Sequence, residues 1–218
     1  MPTVTVTDEI EIIGPGRGRG GRGRPPGGDG GGGNEGAGGS AVPQRTYVTG
    51  MTVALGGILM FFMALVSAYI VRKGTSNDWR ALEVPRILWV NTAVLILSSL
   101  TLSRSRKKLL RGDQSAFRHW WLVTSALGFL FLVGQIIAWK QLANAGVFLA
   151  TNPSSSFFYV FTAAHGLHLL GGVIALFWVA LLPMRRLTQS TATTVASMYW
   201  HFMDGLWVFI FLLLLLGR

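Results

Sequence analysis

The chain has 218 residues, half of them hydrophobic and 13% charged, with 19 Lys/Arg against 9 Asp/Glu and a formal net charge of +10. It contains no cysteine, which excludes disulfides, thiolate metal sites and iron–sulfur clusters on this chain. Most charges lie outside five long apolar runs, so an ordinary soluble domain is excluded and the positive balance has to be read by its distribution.

Residues 1–44 differ sharply from the rest. The stretch 14–39 is nearly all glycine, interrupted by Arg17, Arg19, Arg22, Arg24 and the pair Pro25-Pro26. It has almost nothing apolar to bury, so a disordered cytoplasmic tail is expected. An Arg/Gly tract can bind RNA electrostatically. The competing reading is a basic tail that fixes the orientation of a first membrane span and touches anionic lipid, and no nucleic-acid partner is expected. No signal peptide is read, because the first apolar run starts too far along the chain and is too long.

Residues 45–218 are expected to form one membrane domain. Its apolar runs cover roughly 48–71, 86–102, 119–139, 157–182 and 195–216. A helix needs about 20 apolar residues, and no fewer than about 17, to cross the hydrocarbon core. With no water in lipid the backbone must satisfy its own hydrogen bonds. The fold class is therefore all-α, a multi-pass membrane protein of five transmembrane helices. With the N-terminus inside, thirteen Lys/Arg fall on inside segments and six outside, four of those in the first outside loop. That asymmetry favours a cytoplasmic N-terminus and an outside C-terminus.

The connections follow in order. Residues 73–85 read as a short polar loop with Trp79, and 103–118 as a basic cytoplasmic loop. The segment 141–156 reads as a turn into the fourth span with a serine available as cap. Pro183 ends the fourth span, and 188–194 leads into the fifth. Trp139, Tyr159 and Trp178 suit the aromatic belt at the membrane interfaces.

Polar residues inside these runs are the candidate site. An ionisable side chain at the bilayer centre costs about 2.5–3.5 kcal/mol on insertion scales, so it needs a partner. His165 and His168 are three apart and share a helical face, with Gly171 and Gly172 just beyond to admit a neighbouring helix. His201 and Asp204 are also three apart and could share a proton or a hydrogen bond. Asp204 is the one acid within any span. Asn91, Gln135 and Trp200 complete the set. Haem or metal ligation is the sharp reading of these histidines. It fits poorly, because His119 sits at a span boundary, His165 and His168 are too close to serve two haems, and a non-haem site calls for more carboxylates. Hydrogen bonding between helices or towards a partner fits better. There is no nucleophile elbow, phosphate loop or carboxylate pair, so no catalytic, cofactor-binding or metal residue is assigned.

At these residues the chain resembles subunit III of the haem-copper terminal oxidases, above all cytochrome c oxidase. The match covers about Thr46 to the C-terminus. It is carried by Phe158-Tyr-Val-Phe-Thr162-Ala-Ala-His165-Gly-Leu-His168 and Tyr199-Trp-His201-Phe-Met-Asp204-Gly-Leu-Trp207. Gly50-Met51, Met60-Phe61-Phe62, Asn91-Thr92, Ser98-Ser99, Gly128, Phe131 and Gln135 add support. Five spans match the shorter bacterial form. The resemblance implies a non-catalytic subunit of a respiratory enzyme in the bacterial inner membrane. It implies no cofactor on this chain, and haem and copper on partner subunits. Subunits I and II are the implied partners, with phospholipids in a cleft between two helix bundles and a possible larger respiratory supercomplex. The implied role is to stabilise subunit I and support proton uptake and oxygen access. Three positions depart from the family's carboxylates: Ile58, Ala138 and Thr194. The alternatives are subunit III of a quinol oxidase and, from a different class, a small membrane cytochrome or a transporter.

Overall fold

A computed structural model of the chain describes residues 43–75, 85–181 and 186–217, with the side chains of 186–188 left aside. The tail expected over 1–44 lies outside the described residues up to position 42, and so do Trp79 and Pro183. The described residues form five α-helices: α1 (Gln44–Thr75), α2 (Ile87–Leu110), α3 (Gln114–Asn144), α4 (Pro153–Leu181) and α5 (Arg186–Leu216). All five are long and apolar enough to cross a membrane. The chain is an all-helical membrane protein.

The helices outrun their apolar cores. At about 1.5 Å per residue, α1 and α3 reach well beyond a hydrocarbon thickness of about 30 Å. The basic segment read as a loop at 103–118 is mostly helix, with α2 continuing to Leu110 and α3 beginning at Gln114. Leu, Lys and Arg are good helix formers, and beyond the lipid their charges hydrate without breaking the backbone ladder. The connection shrinks to three residues. Gly112 takes φ +77°, a left-handed conformation that suits glycine, and ends α2. Asp113 then caps α3 by accepting a hydrogen bond from the Ala116 N–H at 3.1 Å. This bond, aided by the Ser115 hydroxyl and by Lys108, holds the Asp113 carboxyl below the usual carboxylate range.

The turn into α4 corrects a second expectation. The cap is Asn152 rather than a serine: its Oδ1 accepts from the Ser155 N–H at 2.9 Å, while the Ser155 hydroxyl receives the Asn152 N–H at 3.2 Å. This reciprocal pair, with Pro153 at the first helical position, is a sound helix start. The run 188–194, read as a lead-in, lies within the opening turns of α5. There the Gln189 amide oxygen accepts from Gln114 Nε2 at 2.6 Å, joining the start of α5 to the start of α3.

Helices α2, α3, α4 and α5 pack in a ring, each against the next, with α5 closing onto α2. Helix α1 lies outside the ring against α4 and α5. The ring encloses Phe117, Trp121, Phe131, Phe158, Trp200 and Trp207, all fully buried. Outward faces carry large apolar side chains such as Phe129, Leu167 and Trp178, as a lipid-facing surface requires. Of the expected interfacial aromatics, Trp178 is exposed. Trp139 instead donates to the Thr162 hydroxyl at 3.0 Å, and the Tyr159 hydroxyl donates to the Val147 carbonyl at 2.9 Å.

Candidate functional site

The α2–α5 contact sets the polar geometry. Trp200 and Trp207 are seven apart on α5 and face hydroxyls on the antiparallel α2. Trp200 Nε1 donates to Ser98 Oγ at 2.9 Å, and Trp207 Nε1 donates to Thr92 Oγ1 at 3.0 Å. Each hydroxyl also donates to a carbonyl of its own helix: Ser98 to Leu95 at 2.7 Å, Thr92 to Leu88 at 2.8 Å. These pairs place both indoles in the ring's interior with their N–H groups satisfied, which is what a buried tryptophan needs.

The close approach of α3 depends on two glycines. A Cβ on Gly128 would fall on the Trp200 indole, 2.9 Å from Cζ2 and overlapping the ring further on. A Cβ on Gly134 would overlap Asn91 Oδ1. Asn91 is thus wedged between α2 and α3, and its Nδ2 has no hydrogen-bond partner among the described residues. Gln135, the next residue on α3, is equally buried, and neither its oxygen nor its nitrogen is bonded there.

The two α4 histidines point to different neighbours. His165 is fully buried, 5.0 Å from Trp207 and 5.9 Å from Phe131 between ring centroids, and neither of its nitrogens has a hydrogen-bond partner among the described residues. His168 is half-buried beside α1, with ring centroids 5.8 Å from Phe62 and 6.2 Å from Phe61. Its Nδ1 lies 2.7 Å from the Ala164 carbonyl. Its own carbonyl accepts from the Tyr199 hydroxyl at 2.7 Å, a link from α5 to α4. Gly172 lets that link close, since its Cβ would meet Tyr199 at 2.9 Å, whereas Gly171 is exposed.

On α5, His201 and Asp204 are not joined by a hydrogen bond. His201 Nδ1 is 2.6 Å from Ser99 Oγ of α2. Asp204 is 8% exposed, and neither carboxylate oxygen has a hydrogen-bond partner among the described residues. Ser99 therefore takes the place expected of Asp204. The sequence signal for Thr92 and Ser98 is their six-residue separation on α2, close to the seven-residue separation of the tryptophans they meet on α5.

The positions that lack a carboxylate are filled without strain. Ile58 packs against the core, Ala138 is fully buried, and Thr194 donates to the Ser190 carbonyl at 3.0 Å. Among the described residues no three His, Cys, Asp or Glu side chains converge as a metal site would require. The polar side chains instead join helix to helix: α2 to α5 by three bonds, α3 to α4 by Trp139 and by Trp121 donating to the Leu176 carbonyl at 2.7 Å, and α4 to α5 by Tyr199.

A cleft of about 630 Å³ opens on the α1 side of the ring, lined by Met51 of α1, Gly171 to Val179 of α4, and Ala192 to Tyr199 of α5. It lies between α1 and the α4–α5 pair.

Comparison with known proteins agrees with this architecture. The family described as cytochrome c oxidase subunit III matches residues 44–216. A probable cytochrome c oxidase subunit 3 from Nocardia farcinica is 34% identical over 191 residues, covering 81% of this chain and 94% of its own. One from Mycobacterium tuberculosis is 32% identical with the same coverage. The cytochrome c oxidase subunit 3 of Thermostichus vulcanus is 32% identical over 174 residues, covering 77% of this chain and 85% of its own. The family match over residues 44–216 and these relatives show that the chain belongs to the cytochrome c oxidase subunit III family.

Proposed function

We propose that the chain is a non-catalytic subunit of a respiratory cytochrome c oxidase, and that it packs on subunit I beside subunit II in a bacterial cytoplasmic membrane. Haem and copper belong to those partners. The N-terminus is inside and the C-terminus outside, in keeping with the basic segment Arg104–Arg111 at the α2–α3 turn. Cytochrome c is the electron donor in this reading, supported by the names of the relatives. The carrying observation is how the polar residues are arranged: Trp200, Trp207, Tyr199 and His201 bond neighbouring helices and do not converge on a reacting centre. A stabilising subunit needs that arrangement, whereas a proton relay needs acids, and the positions Ile58, Ala138 and Thr194 supply none.

The role is to preserve subunit I during turnover and to support proton uptake and oxygen access. The apolar cleft beside α1 suits phospholipid acyl chains. A larger respiratory supercomplex is compatible with the exposed apolar faces. The tail over 1–44 sets orientation and does not bind nucleic acid.

The test is sustained oxygen consumption by the purified complex. Asp204→Asn should start near the normal rate and inactivate several-fold faster per turnover. Immediate loss of activity with all subunits present would assign a catalytic role to this chain. Removing residues 1–40 should leave co-purification with the large subunit unchanged, and failure to assemble would show that the tail does more than orient the first span.

A further inference from the structure

The two hydrogen bonds between α2 and α3 among the described residues lie towards their connecting turn: Thr101 with Thr124 at 2.8 Å, and Ser105 donating to the Phe117 carbonyl at 3.0 Å. Towards the other end of the ring, α2, α3 and α4 carry Asn91, Gln135 and His165, which are 3%, 2% and 0% exposed. Their neighbours put all three at one level. Trp207 lies against the rings of His165 and Phe131, and its N–H reaches Thr92, next to Asn91. Asn91 in turn abuts Gly134, next to Gln135. On α3, Gln135 stands four residues from Phe131 and four from Trp139, which meet His165 and Thr162 of α4. Residues four apart share a helical face, so Gln135 stands opposite the stretch of α4 between those two.

Five polar atoms of this group have no hydrogen-bond partner among the described residues: Asn91 Nδ2, both ends of the Gln135 amide and both ring nitrogens of His165. Buried polar atoms are almost always bonded, because an unmet one costs its full desolvation. Two of the three side chains are held in place. The His165 ring is tilted 38° against Trp207 and lies edge-on to Phe131 at 82°, and Asn91 is wedged on Gly134. The unpaired donors, two NH2 groups and one imidazole N–H, outnumber the unpaired acceptors, one amide oxygen and one imidazole nitrogen. A bridging ligand must therefore accept as well as donate. An ion at this depth needs a paired charge, whereas two amides and an imidazole suit a small neutral molecule. Space adjoins the group. A Cβ on Gly166, beside His165, would meet nothing within 4 Å, and a groove of about 410 Å³ between α3 and α4 is lined by both Gln135 and Gly166.

We propose that Asn91, Gln135 and His165 form a buried hydration site, in which ordered water bridges α2, α3 and α4 beside Trp207. A buried water needs about two to four polar partners, and it donates and accepts equally well. The bridge is the counterpart, at this end of the ring, of the Thr101–Thr124 contact near the turn. It is a property of the ring itself and holds whatever the chain assembles with.

Pulsed X-ray radiolysis of the purified complex reads the site, because hydroxyl radicals formed from a bound water oxidise the side chains beside it. Trp207 and Trp121 are both fully buried and both have bonded N–H groups, so exposure and intrinsic reactivity are matched. Trp207 should be oxidised several-fold faster than Trp121, as read by mass spectrometry of the peptides. Gln135→Leu removes two of the five unpaired atoms at similar volume, and should bring Trp207 down to the rate of Trp121. Equal rates for the two tryptophans in the native chain would overturn the proposal, whether or not the variant assembles. So would an unchanged Trp207 rate in an assembled variant. A map of the complex that resolves ordered water elsewhere in the chain, yet shows Gln135 bonded directly to His165 or Asn91, would overturn it too.

Discussion

Helix α1 and the ring of α2 to α5 are both fully membrane-compatible, yet they are held by different means. Helix α1 has the most apolar span of the five and the least buried. Only Phe62, Val66 and Tyr69 of its length are buried, against ten residues of α3. It meets its neighbours through rings: Phe61 and Phe62 on His168, and Tyr69 edge-on to Phe157 and Phe161, with its hydroxyl against Gly217. The ring helices add tryptophan, serine and threonine hydrogen bonds and glycine contacts that bring backbones together. The difference shows that hydrophobicity places a helix in the bilayer but does not place it in the fold. Lipid tails are as apolar as leucine, so packing, close approach and polar pairing decide which helices stay together.

The most severe way to break the ring is to fill its closest approach. Gly128→Val puts two further carbons into the Trp200 indole, where even one Cβ overlaps. Overpacking typically costs about 1–3 kcal/mol, and this substitution should reach the upper end, seen as a large fall in the thermal midpoint in detergent. Gly171→Ala, with nothing within 4 Å, should leave the midpoint unchanged.

The next effect separates α1 from the ring. Phe62→Ala should loosen α1 while the ring keeps its midpoint. In soluble cores Phe→Ala costs about 3–5 kcal/mol. Here the lipid solvates the exposed surface, so only the packing part is lost. The reporter is a cysteine at the buried position Val66, whose modification rate should rise several-fold when Phe62 is truncated. Joint melting of α1 and the ring would show one cooperative unit and erase the distinction.

Thr92→Val keeps the side-chain shape and removes the acceptor of the Trp207 N–H. Interhelical hydrogen bonds in membranes average about 0.6 kcal/mol and reach about 1.7, so a small drop in midpoint is expected. A null result would mean that shape alone positions α5 on α2.

The smallest effect lies at the α2–α3 turn. Asp113 has a lowered carboxyl affinity for protons, chiefly because its ionised form accepts the Ala116 N–H. Such a group contributes stability above its unfolded-state pKa and loses it as pH falls through the lower folded value. Amide-exchange protection at Ala116 should therefore decline on acidification below the usual carboxylate range. Asp113→Ala should show the acid level of protection at every pH.

The five helices were legible because the bilayer leaves the backbone no alternative. Their ends were not, since hydropathy stops at the lipid boundary while the helix at Ser103–Leu110 does not. The site was legible in membership but not in pairing. His201 and Asp204 suggested each other by their spacing along one helix, but the partner of His201 is Ser99 across the α2–α5 contact. His165 and His168 share a face within 60° or so of helical rotation, and that small angle is enough to send one into the ring and the other towards α1. Spacing along one helix gives a face, but which neighbour covers that face depends on the packing of all five.

The central claim is that this chain serves a redox centre it does not hold. Its most direct test is affinity purification of the full chain from its own membranes, followed by visible spectroscopy before and after the chain is separated from its partners. The expected result is a haem-bearing large subunit in constant proportion, with a Soret band that stays with that subunit and leaves this chain colourless. A Soret band on the separated chain, or purification with no haem-bearing partner, would contradict it.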